Sequence, residues 1–146
     1  RRHVINAYGS YSFSKDRGFR ALNGLNLGLN THFESGLPIN ALLAHPVYLN
    51  AGEVPVGGRG SLGRTPGYFR FDVHTDYPWA INEKMKIKFV ADFFNVFNSQ
   101  KVRLPDQNKS LSFDPATGTN PPNPDFLKPL SYYLPFNMRL GVRLEW

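Results

Sequence analysis

From Ser131 to Trp146 the chain alternates strictly. The even positions are Tyr132, Leu134, Phe136, Met138, Leu140, Val142, Leu144 and Trp146, all large and apolar. The odd positions are Ser131, Tyr133, Pro135, Asn137, Arg139, Gly141, Arg143 and Glu145. Successive side chains of a strand point to opposite faces, so the pattern predicts one β-strand with an apolar and a polar face. A helix would scatter the same apolar residues around its circumference.

The same period predicts four more strands upstream. His3 to Phe13 puts Ile5, Ala7, Tyr11 and Phe13 opposite Val4, Asn6, Tyr8, Ser10 and Ser12. After a polar turn, Ser14 to Gly18, comes Phe19 to Phe33, in which Leu25, Leu27, Leu29, Thr31 and Phe33 oppose Gly24, Asn26, Gly28, Asn30 and His32. Gly and Asn are poor strand formers; on the inner wall of a wide barrel they leave room for whatever fills the lumen. Tyr68 to Trp79 sets Phe69, Phe71, Val73, Thr75, Tyr77 and Trp79 against Arg70, Asp72, His74, Asp76 and Pro78. A short turn, Ala80 to Glu83, leads into Lys84 to Asn98, where Met85, Ile87, Phe89, Ala91, Phe93 and Phe97 oppose Lys84, Lys86, Lys88, Asp92 and Asn98, with Val90, Phe94, Asn95 and Val96 blurring the pattern. Two Gly- and Pro-rich connections, Glu34 to Gly67 and Ser99 to Leu130, separate these pairs; the first has room for local structure around Ala41 to Leu49.

Two regularities give the strands a setting. The connections alternate between about five and about thirty residues, as periplasmic turns and extracellular loops of transmembrane barrels do. The aromatic residues also fall at two heights. Phe33, Phe69, Phe97 and Tyr132 lie at the long-loop ends, and Phe13, Phe19, Tyr77, Trp79 and Trp146 at the short-turn ends, as in the girdles of lipid-facing sheets. The strands run to about eleven to sixteen residues, against about five or six in most soluble sheets. The expected fold is all-β: about five long antiparallel strands forming the C-terminal part of a transmembrane β-barrel. A soluble β-sandwich that binds carbohydrate or another ligand shares the alternation and is the alternative.

Composition narrows the classes. No run of apolar residues approaches the length of a membrane-spanning helix, yet 41% of the residues are hydrophobic, which suits apolar positions spaced two apart. The absence of cysteine removes disulfide scaffolds, thiolate zinc sites and Cys nucleophiles. The formal charge of +6 comes from residues spread over many strands and turns, and no nucleic-acid reading motif accompanies it, so no nucleic-acid partner is expected. The chain opens on Arg1 and Arg2 and runs directly into strand pattern, without an initiator Met or a signal peptide; it reads as a fragment spanning residues 1–146 of a longer barrel domain.

Catalytic patterns are weak, and no enzyme activity and no cofactor is expected. Gly57 to Gly63 is Gly-rich but lacks the Lys-Ser/Thr ending of a phosphate loop. His3, His32, His45 and His74 have no paired metal spacing. Asp72, His74 and Asp76 share a strand face, where cross-strand ion pairs, Arg70 included, are the expected arrangement. Asp106 to Ser110 starts like a calcium loop, but Leu111 stands where Gly is required and Thr117 where Glu is. Asn108-Lys109-Ser110 is formally a glycosylation sequon, without meaning in a bacterial cell.

Arg64-Thr65-Pro66-Gly67-Tyr68, running on to Asp72, then a strand ending Phe94-Asn95-Val96-Phe97-Asn98, and a terminal Trp146 together resemble the carboxy-terminal strands of TonB-dependent outer-membrane receptors. Ser35-Gly36-Leu37-Pro38 is similar to a motif often seen at the top of such a strand, and the wording is closest to the Oar-like branch. The resemblance implies a barrel of twenty-two strands, a lumenal plug absent from this stretch, and uptake of an unknown solute in the bacterial outer membrane. The implied partners are outer-membrane lipid, the TonB complex (through a segment not present here) and the barrel-assembly machinery, for which Phe136, Leu140, Leu144 and Trp146 form the expected signal. Arg59, Arg64, Lys101, Arg103 and Asp106 are the expected substrate contacts in the loop mouth, chosen by charge and position. A porin or adhesin barrel without TonB coupling is a further alternative.

Overall fold

The computed structural model describes residues 1–14 and 22–146, so the expected turn at Ser14 to Gly18 and the start of the second strand at Phe19 lie largely outside the described residues. Among the described residues nine strands form: β1 Val4–Ser12, β2 Asn26–Glu34, β3 Ala41–Leu43, β4 Val54–Val56, β5 Tyr68–Ala80, β6 Lys86–Phe94, β7 Val102–Pro105, β8 Pro129–Tyr132 and β9 Asn137–Glu145. No α-helix occurs among the described residues. The chain packs as two compact units.

One unit is the sheet, built from Val4–Phe33, Phe69–Ser99 and Leu134–Trp146. Its strand order is β1-β2-β5-β6-β9, a meander in which each strand pairs with the next long strand along the chain. β5, β6 and β9 are antiparallel in one continuous register. The bonds Asn26 to Asp76 (2.8 Å) and Asn30 to Asp72 (3.1 Å) carry the antiparallel order from β2 to β5. The sheet is open, with β1 and β9 at its edges, and no closed barrel is formed among the described residues.

The register sorts the side chains into two faces. Rows Val73/Phe93/Met138, Thr75/Ala91/Leu140, Tyr77/Phe89/Val142 and Trp79/Ile87/Leu144 form the apolar face, as the alternation predicts. The other face carries His74/Asp92/Arg139 and Pro78/Lys88/Arg143. Burial is inverted relative to a water-soluble sheet. On the same two central strands, Asp72 and Asp92 are only 8% and 7% exposed, whereas Tyr77 and Phe89 on the apolar face are 38% and 42% exposed. No buried hydrophobic core lies beneath this sheet: the buried hydrophobic residues of the described chain are Ala41, Ala44 and Tyr68, all in the other unit.

The second unit comprises Arg1–His3, Glu34–Tyr68 and Gln100–Tyr133, and so contains both long connections. They are more ordered than their Gly and Pro content predicts. β3 and β4 pair as one hairpin and β7 with β8 as another. Gln107 ties them together, its side chain accepting from Asn40 N (2.8 Å) and its carbonyl from Leu42 N (2.9 Å).

Three expected strands change. The fourth, expected over Lys84 to Asn98, runs only from Lys86 to Phe94. The fifth is broken: Tyr132 ends β8, which pairs with β7, and the sheet strand begins only at Asn137. Pro135 has no N–H to offer a ladder, and the neighbouring groups bond elsewhere, Tyr133 N to Lys101 O (3.0 Å) and Phe136 N to Asn98 Oδ1 (2.9 Å). Tyr132 therefore leaves the expected aromatic tier. Phe69, Phe71 and Phe97 hold that tier, with ring centroids 6.1 Å and 5.6 Å apart for the pairs made by Phe97. The second strand starts at Asn26, because Gly24 takes a positive φ of 86° and turns the chain.

Candidate functional site

The polar face of the sheet is a ladder of paired charges. His74 Nδ1 lies 2.5 Å from Asp92 Oδ1, and Arg139 holds the other Asp92 oxygen at 2.7 Å. His74 Nε2 lies 3.4 Å from Asp76, which Lys88 also meets at 3.2 Å. This is the cross-strand pairing expected for Asp72, His74 and Asp76. The one glycine of β2 has a nearer purpose than an open lumen: a Cβ on Gly28 would stand 3.3 Å from His74 Cβ, so Gly28 makes room for that histidine.

Asp72 joins the two halves of the motif carried by β5 and β6. Its Oδ1 accepts the backbone N–H of Asn95 (2.9 Å) and its Oδ2 the amide of Asn30. Arg70 Nε is 3.0 Å from Oδ2, an ion pair lacking hydrogen-bond alignment. Asn95, 2% exposed and at φ 52°, donates to Leu134 O (2.8 Å) and Ser99 O (3.2 Å) and accepts from Ser99 N (3.0 Å). Asn tolerates this left-handed backbone better than most residues. The side chain thereby turns the chain out of β6 and anchors the approach to β9.

In the loop unit the motif Ser35-Gly36-Leu37-Pro38 lies against Arg64-Thr65. Thr65 Oγ1 accepts Leu37 N, and Thr65 N donates to Leu37 O, both at 2.8 Å. Gly36 is required by contact: a Cβ there would fall 1.6 Å from Thr65 O. Ser35 Oγ accepts the N–H groups of Arg2 (2.9 Å) and His3 (3.0 Å). These bonds gather Arg1, Arg2, Arg59 and Arg64 around a recess of about 420 Å³, completed by Pro38, Gly60 and Gly63.

The recess is cationic. Arg1 is neutralised by Glu34 at 2.9 Å. Arg64 Nε donates to Gly36 O at 3.1 Å, a bond to a neutral carbonyl that leaves its charge uncompensated. Among the described residues no carboxylate pairs with Arg2, Arg59 or Arg64. Beside Arg1, the Tyr133 hydroxyl bonds Glu34 and its ring stacks on Tyr68 at 3.6 Å and 6°. Burial, and then the Glu34 carboxylate, push the Tyr133 phenol above its ordinary pKa.

Of the expected substrate contacts, Arg59 and Arg64 come together in this recess. Lys101 and Arg103 are exposed, Arg103 on β7, and neither lines it. Asp106 is buried, its carboxylate occupied by Asn108 N (2.9 Å) and Asn123 Nδ2 (2.9 Å), so it braces the loop. Arg1 and Arg2 were not expected; the signal was their charge, set next to a chain start that otherwise reads as strand. Leu140 and Leu144 lie on the apolar face of β9, Phe136 precedes that strand and Trp146 follows it.

The chain is similar to the TonB-dependent transporter Oar of Myxococcus xanthus, 28% identical over 172 aligned positions that cover 98% of this chain. The identity is that of a distant relationship, and the chain spans 16% of the length of that protein. No protein-family profile matches the chain. No solved structure matches it.

Proposed function

We propose that this chain is a stretch of the outer-membrane β-barrel of a TonB-dependent receptor, whose role is solute uptake and not catalysis. The inverted burial of the sheet carries the reading. A continuous row of Met138, Leu140, Val142 and Leu144 faces outward while carboxylates are buried on the opposite side. Contiguous apolar surface of this kind marks a membrane or partner contact, and alternation of apolar-out with polar-in is the pattern of a lipid-facing barrel wall. The distant likeness to Oar points the same way.

In this reading the apolar rows meet outer-membrane lipid, and the ion-pair ladder lines the lumen. The unit formed by the two long connections belongs to the solute-capturing mouth, since loops on a rigid scaffold tend to carry binding. Phe136, Leu140, Leu144 and Trp146 serve the barrel-assembly machinery, and TonB acts through a segment outside this chain. The test is fractionation of cells expressing the full-length gene product. Recovery in the outer membrane, with electrophoretic mobility that changes on heating, is expected. A folded product recovered from the soluble fraction without detergent would contradict the proposal and favour the β-sandwich.

A further inference from the structure

We infer that the recess formed by Arg2, Arg59 and Arg64 binds an oxyanion, a solute bearing a phosphate or two or more carboxylates. The inference rests on the receptor reading and names the class of solute that the mouth would take.

The recess is lined by three arginines with no carboxylate partner among the described residues, and they belong to one compact unit. Three like charges around one space repel one another, and an anion between them relieves that repulsion. Its volume of about 420 Å³ lies within the range of small-molecule sites. Guanidinium is the side-chain group suited to bidentate recognition of planar carboxylates and of phosphate oxygens.

The backbone adds little to the charge. Gly60 N already donates to Asn40 Oδ1 at 2.7 Å and Gly63 N to Gly60 O at 3.0 Å, so recognition falls to the arginines. Gly60 and Gly63 adopt φ of 75° and 90°, backbone that L side chains rarely take, which keeps this rim free of bulk. The wall itself is fixed by the pairing of Leu37 with Thr65 and by the Arg64 bond to Gly36 O.

Arg59 is the cleanest residue to change, because none of the bonds that shape the wall uses its side chain. The experiment is calorimetric titration of the full-length receptor, purified in detergent, with citrate, with inorganic pyrophosphate and with uncharged glycerol. Binding of citrate or pyrophosphate but not glycerol is expected, with affinity falling at least tenfold in Arg59→Glu and several-fold in Arg2→Gln. Preference for citrate assigns carboxylates and preference for pyrophosphate assigns phosphate. Heat-modifiable mobility of each variant shows that the barrel is assembled. An assembled receptor that binds neither anion, or an Arg59→Glu variant that binds as tightly as the parent, would overturn the oxyanion site and leave the barrel reading standing. Failure of the parent to assemble in the outer membrane would strike the barrel reading itself.

Discussion

Asn95 shows how much one residue decides in this chain. Its side chain bonds Ser99 twice and Leu134 once, and its backbone N–H is held by Asp72. Asn95→Ala leaves these groups unpaired and puts Ala at positive φ, so it should cost about 2–4 kcal/mol. Urea unfolding of the micelle-refolded protein measures this, with Asn95→Gly separating the backbone part; a midpoint unchanged in both variants would contradict the role. Asp114 offers a second test. The Thr117 hydroxyl (2.7 Å), then Ala116 N (2.9 Å), hold its carboxyl below the ordinary aspartate value. The folded turn therefore binds a proton more weakly than the unfolded chain does. Its contribution to stability is present above the ordinary value and is lost as pH falls through the lowered one. Carbon NMR titration of Asp114 should show a midpoint below that of a free aspartate, moving upward in Thr117→Val. A midpoint that stays put would remove Thr117 as the cause. Neither residue's partners were legible in sequence. Asn95 stood out as an interruption of the expected apolar face and as part of the Phe94 to Asn98 motif, neither of which names its partners, and Asp106 was selected for its charge because nothing marks Asn123 as its partner.

At the scale of elements, the alternating strands were read well where both faces differ sharply. β5 and β9 keep the predicted parity throughout their length, and β6 keeps it from Lys86 to Phe94 apart from Val90 and Phe94. Alternation alone failed at Tyr133 to Phe136, because period-two hydrophobicity continues through Pro135 although the ladder does not. The pairing of β7 with β8 was hidden for a different reason: the two segments lie far apart in the chain, and each is only four residues long. The apolar row of β9 makes a prediction of its own. If that row meets lipid as proposed, Leu140→Arg, mid-strand on it, should destabilise the protein in lipid vesicles by about 2–4 kcal/mol, as for Arg at the midplane of a barrel. A change within about 0.5 kcal/mol, usual for an exposed surface position, would mean that this face meets water.

At the scale of the whole molecule, the burial pattern is the observation on which the lipid-facing proposal rests. A sheet that exposes Phe89, Leu140, Val142 and Trp146 and buries Asp72 and Asp92 reverses the order that water imposes. The hydrocarbon exterior and polar interior of the proposed barrel wall would remove the conflict. The alternation in the sequence showed that the two faces differ, but not which one is buried; that required the ion-pair ladder and the burial of its carboxylates. The loop unit was legible only as length and composition, so Arg59 and Arg64 were found by charge while their meeting with Arg2 depended on the Ser35-Gly36-Leu37-Pro38 turn. Which face meets lipid can be measured directly. This stretch has no cysteine, so single-cysteine spin labels can be placed in turn at positions 138 to 145 of the protein in lipid vesicles, any cysteine outside the stretch being replaced first. Labels at Met138, Leu140, Val142 and Leu144 should collide with lipid-soluble oxygen, and those at Arg139, Gly141 and Arg143 with a water-soluble nickel complex. Even positions shielded from both reagents, or no alternation at all, would contradict the lipid-facing wall.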